Sequence, residues 1–80
     1  MLKQMIEWYT KRLREARPSS IVSDVQYIPE EETWLATIDG KLYHDVGEND
    51  DGGYFVCDGD VITFDFDDQF LHILEQGSAS

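Results

Sequence analysis

Residues 33–66, TWLATIDGKLYHDVGENDDGGYFVCDGDVITFDF, decide the fold. Four runs rich in aromatic and β-branched residues are separated by Asp39-Gly40, by the polar segment 47–53 and by Asp58-Gly59. That is the composition of short strands joined by tight turns. Loop length then sets which residues share a face, because side chains alternate along a strand. A two-residue turn at Asp39-Gly40 would set Trp34, Ala36 and Ile38 beside Lys41, Tyr43 and Asp45, mixing apolar with charged. A three-residue loop, Ile38-Asp39-Gly40 with Gly40 in a left-handed bulge, sets Trp34 and Ala36 beside Leu42, His44 and Val46. The second sorts the residues better and is the expected one. At Asp58-Gly59 a two-residue turn sorts better, grouping Phe55 and Cys57 with Ile62, Phe64 and Phe66, and leaving Tyr54, Val56, Val61, Thr63 and Asp65 on the other face.

On the N-terminal side, residues 21–28 alternate as a strand with Ile21, Val25 and Tyr27 on one face, ended by Pro29 and Glu30-Glu31-Glu32. Before it, Leu2, Met5, Ile6, Tyr9 and Leu13 recur at helical spacing over residues 1–17, and Pro18 marks the stop. On the C-terminal side, residues 67–76 leave two readings open. Acids at the start, unbranched residues and Gly77 at the end favour a short helix burying Phe70, Ile73 and Leu74. A last strand is the alternative, and residues 77–80 should fray.

The expected fold is therefore α+β in one domain of 80 residues. An N-terminal amphipathic helix packs on an antiparallel meander of four to five strands spanning residues 20–66, with a short helix or last strand after it. The expected core is Leu2, Met5, Ile6, Tyr9, Leu13, Val25, Trp34, Ala36, Leu42, Val46, Phe55, Ile62, Phe64, Phe66 and Ile73. Cys57 is the single cysteine, so no disulfide framework exists, which suits a reducing compartment. The N-terminal segment has no uninterrupted apolar run. A cytoplasmic location, with no membrane association, is the expectation.

Charge carries the functional signal. Seventeen acids against six bases give a net charge of −11. The bases Lys3, Lys11, Arg12, Arg14 and Arg17 all precede Pro18, and beyond it Lys41 is the one base among fifteen acids. One end of the chain is basic and the body is an anion. A direct nucleic-acid or membrane partner is disfavoured by that anion; local neutralisation of the helix by the sheet's acids is the simpler role for the bases.

Motif chemistry is sparse. If Gly52 were the central glycine of a calcium loop, its first ligand would be Gly47 and its twelfth residue Asp58, so the loop lacks its first ligand and its bidentate glutamate. Cys57, His44 and His72 have no zinc spacing. No phosphate loop, nucleophile elbow or triad is present. The expectation is a non-enzymatic protein with no metal and no cofactor.

What remains is the anionic surface. Glu48, Asp50, Asp51, Asp58, Asp60, Asp65, Asp67 and Asp68 fall at strand ends and turns. With Tyr43 and Tyr54 as aromatic anchors they form the candidate partner-binding set. They point to an inhibitor of a basic nucleic-acid-binding protein or nuclease that offers carboxylates in place of phosphates, as phage anti-restriction, anti-CRISPR and nuclease-immunity proteins do. The alternative is a structural or assembly module that oligomerises, for instance as a homodimer held by apolar contacts around Tyr54, Val56 and Val61, or lends a sheet edge to a partner.

Overall fold

The computed structural model describes residues 2–47, 49 and 51–79. They form α1 (Leu2–Ala16), β1 (Val22–Ile28), β2 (Thr33–Ile38), β3 (Lys41–Val46), β4 (Gly52–Cys57), β5 (Asp60–Asp65) and α2 (Asp68–Ala79). The strands make one antiparallel sheet in sequence order, β1-β2-β3-β4-β5. Side chains of both helices join one face of that sheet in a single buried cluster. The architecture is the α+β one expected from the sequence, with a helix after the last strand. That helix runs on through Gly77 to Ala79, since a glycine inside a helix costs only about 1 kcal/mol.

The core is largely aromatic. Tyr9 of α1 lies 4.5 Å from Trp34 and edge-on to Phe55 and Phe64. Trp8 packs 4.5 Å from Phe70 of α2, whose ring stacks on Phe66 at 4.3 Å. The expected helical stripe omits Trp8, yet only 3% of it is exposed. The stripe faces the sheet, whereas Trp8 faces α2, so α1 is buried on two sides. Leu2, expected in the core, is exposed where the helix begins.

Both tight hairpins use two-residue turns. Cys57 pairs with Asp60 across Asp58-Gly59, as expected. Ile38 pairs with Lys41 across Asp39-Gly40, which overturns the expected three-residue loop. Asp39 and Gly40 both have positive φ, 52° and 78°, a type I′ geometry whose twist matches the flanking strands. The mixed face that this register creates is tolerable because Lys41 is exposed at one end of β3 and Asp45 is half-buried at the other. Between them only Tyr43 must be buried. Leu42 and Val46, expected in the core, instead point away from the helices and are each 44% exposed.

β1 also departs from strict alternation. Val22 pairs with Ile38 but Asp24 pairs with Thr37, so Ser23 is an inserted residue. This bulge puts Val22 and Val25 on the core side and leaves Ile21 72% exposed.

Gly52 starts β4 where a Cβ would meet the Phe64 carbonyl at 2.1 Å. The β3–β4 connection is held by Asn49, whose Oδ1 accepts from the amides of Asp51 and Gly52 at 2.8 and 3.1 Å.

Because Trp8 joins both helices to the sheet, its truncation should be felt throughout. Trp8→Ala is expected to cost about 3–5 kcal/mol, against a total of roughly 4–12 kcal/mol for a domain of this size. Urea unfolding should show the midpoint of Trp8→Ala lowered by about a quarter or more of its wild-type value, and a smaller loss for Trp8→Phe.

Candidate functional site: the acidic end of the sheet

In a meander the odd-numbered connections share one end and the even-numbered ones the other. The β1–β2 turn, the β3–β4 loop and the exit of β5 therefore lie together. That end carries Glu30, Glu31, Glu32, Asp51, Asp65 and Asp68, all exposed. No Lys or Arg occurs in segments 29–32, 47–51 or 65–68. The other end holds the β2–β3 and β4–β5 turns with Asp39, Asp58 and Asp60, together with Lys41 and Arg17. Strands of six residues separate the two ends by about 20 Å.

The candidate set read from the sequence is therefore split. Asp51, Asp65, Asp67 and Asp68 gather at one end, while Asp58 and Asp60 lie at the other. Glu48 and Asp50 lie outside the described residues. Glu30, Glu31 and Glu32, not among the candidates, belong to the same end as Asp51 and Asp68. Counting connections, odd against even, would have found them.

Two members of the set are taken up by the fold. Asp67 caps α2, its Oδ1 accepting from the Phe70 amide at 2.9 Å and from the Trp8 indole at 2.9 Å. Its Oδ2 accepts from Arg12 at 2.5 Å. Burial acts to raise the Asp67 pKa, but the Phe70 amide, the Trp8 N–H and Arg12 together outweigh it and hold the carboxyl below its ordinary value. Asp60 receives both terminal nitrogens of Arg17, at 3.0 and 2.9 Å, and the Tyr43 hydroxyl at 2.6 Å. Arg17 first and Tyr43 second pull Asp60 down to about 2. The charged carboxylate in turn pushes Tyr43 up to about 12. Tyr43 is thus buried and spoken for rather than an exposed anchor. Tyr54 is half-buried on the helix-free face, its hydroxyl against Gly47.

Three arginines of the N-terminal segment are engaged in the same way. Arg12 binds Asp67 and lies 5.4 Å over the Trp8 ring, Arg14 donates to the Val22 carbonyl, and Arg17 holds Asp60. The local neutralisation expected of the helix is present in these pairs.

Beside the acidic end, a cleft of about 450 Å³ opens between Leu2, Met5, Tyr27, Glu32, Trp34, Asp45 and Leu74. Tyr27 and Trp34 lie 5.2 Å apart at 47°. Glu32 closes the β1–β2 turn with a φ of 50°, a left-handed conformation that a side chain adopts at some cost. The part-exposed Tyr27 ring beside the exposed Glu32 carboxylate suits this cleft to an organic cation such as a lysine or arginine side chain.

Among the described residues no three His, Cys, Asp or Glu side chains converge as metal ligands, and no helix is long and apolar enough to cross a membrane. Comparison of the chain with protein-family models, curated protein sequences and solved structures found no match in any of the three.

The Asp60 cluster has a definite pH signature. A carboxyl lowered to about 2 stabilises the fold fully above its unfolded value near 4, and the contribution is lost as pH falls through the folded value. A tyrosine raised to about 12 stabilises fully below about 10 and loses that contribution as pH rises through the folded value. Tyr43→Phe should cost about 1–2 kcal/mol and raise the Asp60 pKa. Asp60→Asn should flatten the stability profile between about pH 4 and 2. Urea midpoints across pH and an NMR titration of the Asp60 carboxyl check both.

Proposed function

We propose that this chain is a non-enzymatic acidic binding protein that inhibits a nucleic-acid-binding protein or nuclease, seating the acidic end of its sheet in a groove built for phosphates. The observation that supports this is the gathering of three acidic connections at one end with no base among them. From β1 to β5 these connections span four inter-strand spacings, about 19 Å. Duplex DNA carries about 11 charges over that length. Segments 30–32, 48–51 and 65–68 hold nine carboxylates, so the two densities are comparable. The sheet holds the flanking positions of each connection in register.

Arg12 neutralises Asp67, leaving eight of the nine carboxylates, and Arg17 is held at the opposite end by Asp60. A basic groove would be drawn to the acidic end by long-range steering, so association should be fast and weakened by salt. The cleft beside Glu32 gives a lysine or arginine of that groove a place to insert, adding an apolar contact to the charge pairing.

The test is capture of partners from a host lysate on the immobilised protein, followed by elution with salt and with duplex DNA. The expected result is a nucleic-acid-binding protein released by either. Substituting Glu30, Glu31, Asp51 and Asp68 by Gln or Asn should weaken its binding tenfold or more. Neutralising Asp39 and Asp58 at the opposite end should change it little. A captured protein indifferent to DNA, or equal loss from both sets of substitutions, would overturn the proposal.

A further inference from the structure

Three large apolar side chains left exposed, Leu2, Leu71 and Leu74 at 49%, 49% and 38%, are gathered at one place. The cleft beside Glu32 has Leu2 and Leu74 in its walls. A second hollow of about 360 Å³ lies between α1, α2 and the β3–β4 connection, with Leu71, Leu74 and Asn49 in its walls. Met5, Trp34 and Leu74 belong to both. The two are therefore halves of one groove that crosses the acidic end from the β1–β2 turn to the β3–β4 connection. Its walls are largely apolar and its rim is acidic. Glu32 and Asp45 line it directly. Asp68 and Glu75 stand one turn before and one turn after Leu71 on the same side of α2, both exposed. Among the described residues no Lys or Arg lines either half.

We propose that this groove seats a basic amphipathic helix of the partner protein, whose apolar stripe enters beside Leu2, Leu71 and Leu74 while its lysines or arginines meet the acidic rim. This rests on the acidic end being the partner surface, and it specifies what the partner brings there. Charge complementarity selects a basic polar face. The position of the groove selects a helix. The sheet reaches it on the helix-covered face, through Tyr27, Trp34 and Asp45. A sheet face offers no free ladder, so an extended segment laid there would leave its backbone N–H and C=O groups without partners. A helix satisfies its own backbone and presents apolar side chains at three- and four-residue spacing, which is what an apolar groove can take up.

The experiment is an NMR titration of the purified full chain with two synthetic lysine-leucine peptides of equal composition, each about four helical turns long. In one the leucines recur at helical spacing; in the other their order is scrambled. The patterned peptide is expected to bind about tenfold or more tighter than the scrambled one and to shift the resonances of Met5, Leu71 and Leu74. Leu71→Gln with Leu74→Gln should weaken it by about tenfold or more. Circular dichroism and the urea midpoint should stay native-like, because both side chains are exposed. Leu71→Gln alone should act in the same direction, and Val61→Thr on the helix-free face should change nothing. Equal binding of the two peptides, shifts confined to other surfaces, or indifference to the Leu71 and Leu74 substitutions would overturn the proposal. A DNA-displaceable protein captured from lysate equally well by the doubly substituted chain would also overturn it, while leaving the acidic-end reading in place.

Discussion

The carboxylate of Asp67 is the junction on which the helical layer depends. It receives the indole N–H of Trp8 and the guanidinium of Arg12 from α1, and the Phe70 amide from α2. Its two oxygens thus cap one helix and clamp it to the other just beyond the last strand. The carboxylate stays 39% exposed, so its three charge-assisted hydrogen bonds position the two helices without a large desolvation cost. Around the junction, Trp8, Phe64, Phe66 and Phe70 close the aromatic core. The position of α2, and with it the second buried side of α1, follows from this one residue.

A second polar junction does similar work at the far end of α1. Arg17 and Tyr43 converge on Asp60, fixing the helix terminus against β3 and β5. The two junctions draw on Arg12 and Arg17, so they also set the electrostatics. Arg12 and Arg17 are engaged along the α1 side, while the connections at the opposite end from Asp60 carry Glu30, Glu31, Glu32, Asp51, Asp65 and Asp68 exposed. Structure and charge distribution are in this sense one constraint. A protein that used Arg12 or Arg17 elsewhere would lose both its helix packing and the polarity of its surface.

Much of this was legible in the sequence. The strands, the β4–β5 turn and the amphipathic face of α1 follow from alternation, Asp-Gly dipeptides and helical period. Trp8 was hidden because its burial depends on α2, and the segment that forms α2 could be read as helix or strand. The Ser23 bulge was hidden because an inserted residue reverses alternation without changing composition. For the candidate site, the acidic character was plain but its grouping was not. Proximity in sequence joined Asp58 and Asp60 to Asp65, whereas the alternation of connections sends them to opposite ends and brings Glu30, Glu31 and Glu32 to the acidic one.

The misread β2–β3 turn is the most informative departure. Sorting by apolar content favoured burying Leu42 and Val46, and on a sheet with one buried face that logic is sound. The type I′ turn at Asp39-Gly40 overrides it, burying Tyr43 and directing Leu42, His44 and Val46 outward. One face of the sheet is covered by the chain's own helices; on the other, Leu42, Val46 and Val61 lie 44%, 44% and 48% exposed on the same side as Asp24 and Asp65. Turn geometry outranks apolar sorting here, because a two-residue turn with positive φ at both Asp39 and Gly40 fixes which residues of β2 and β3 share a face.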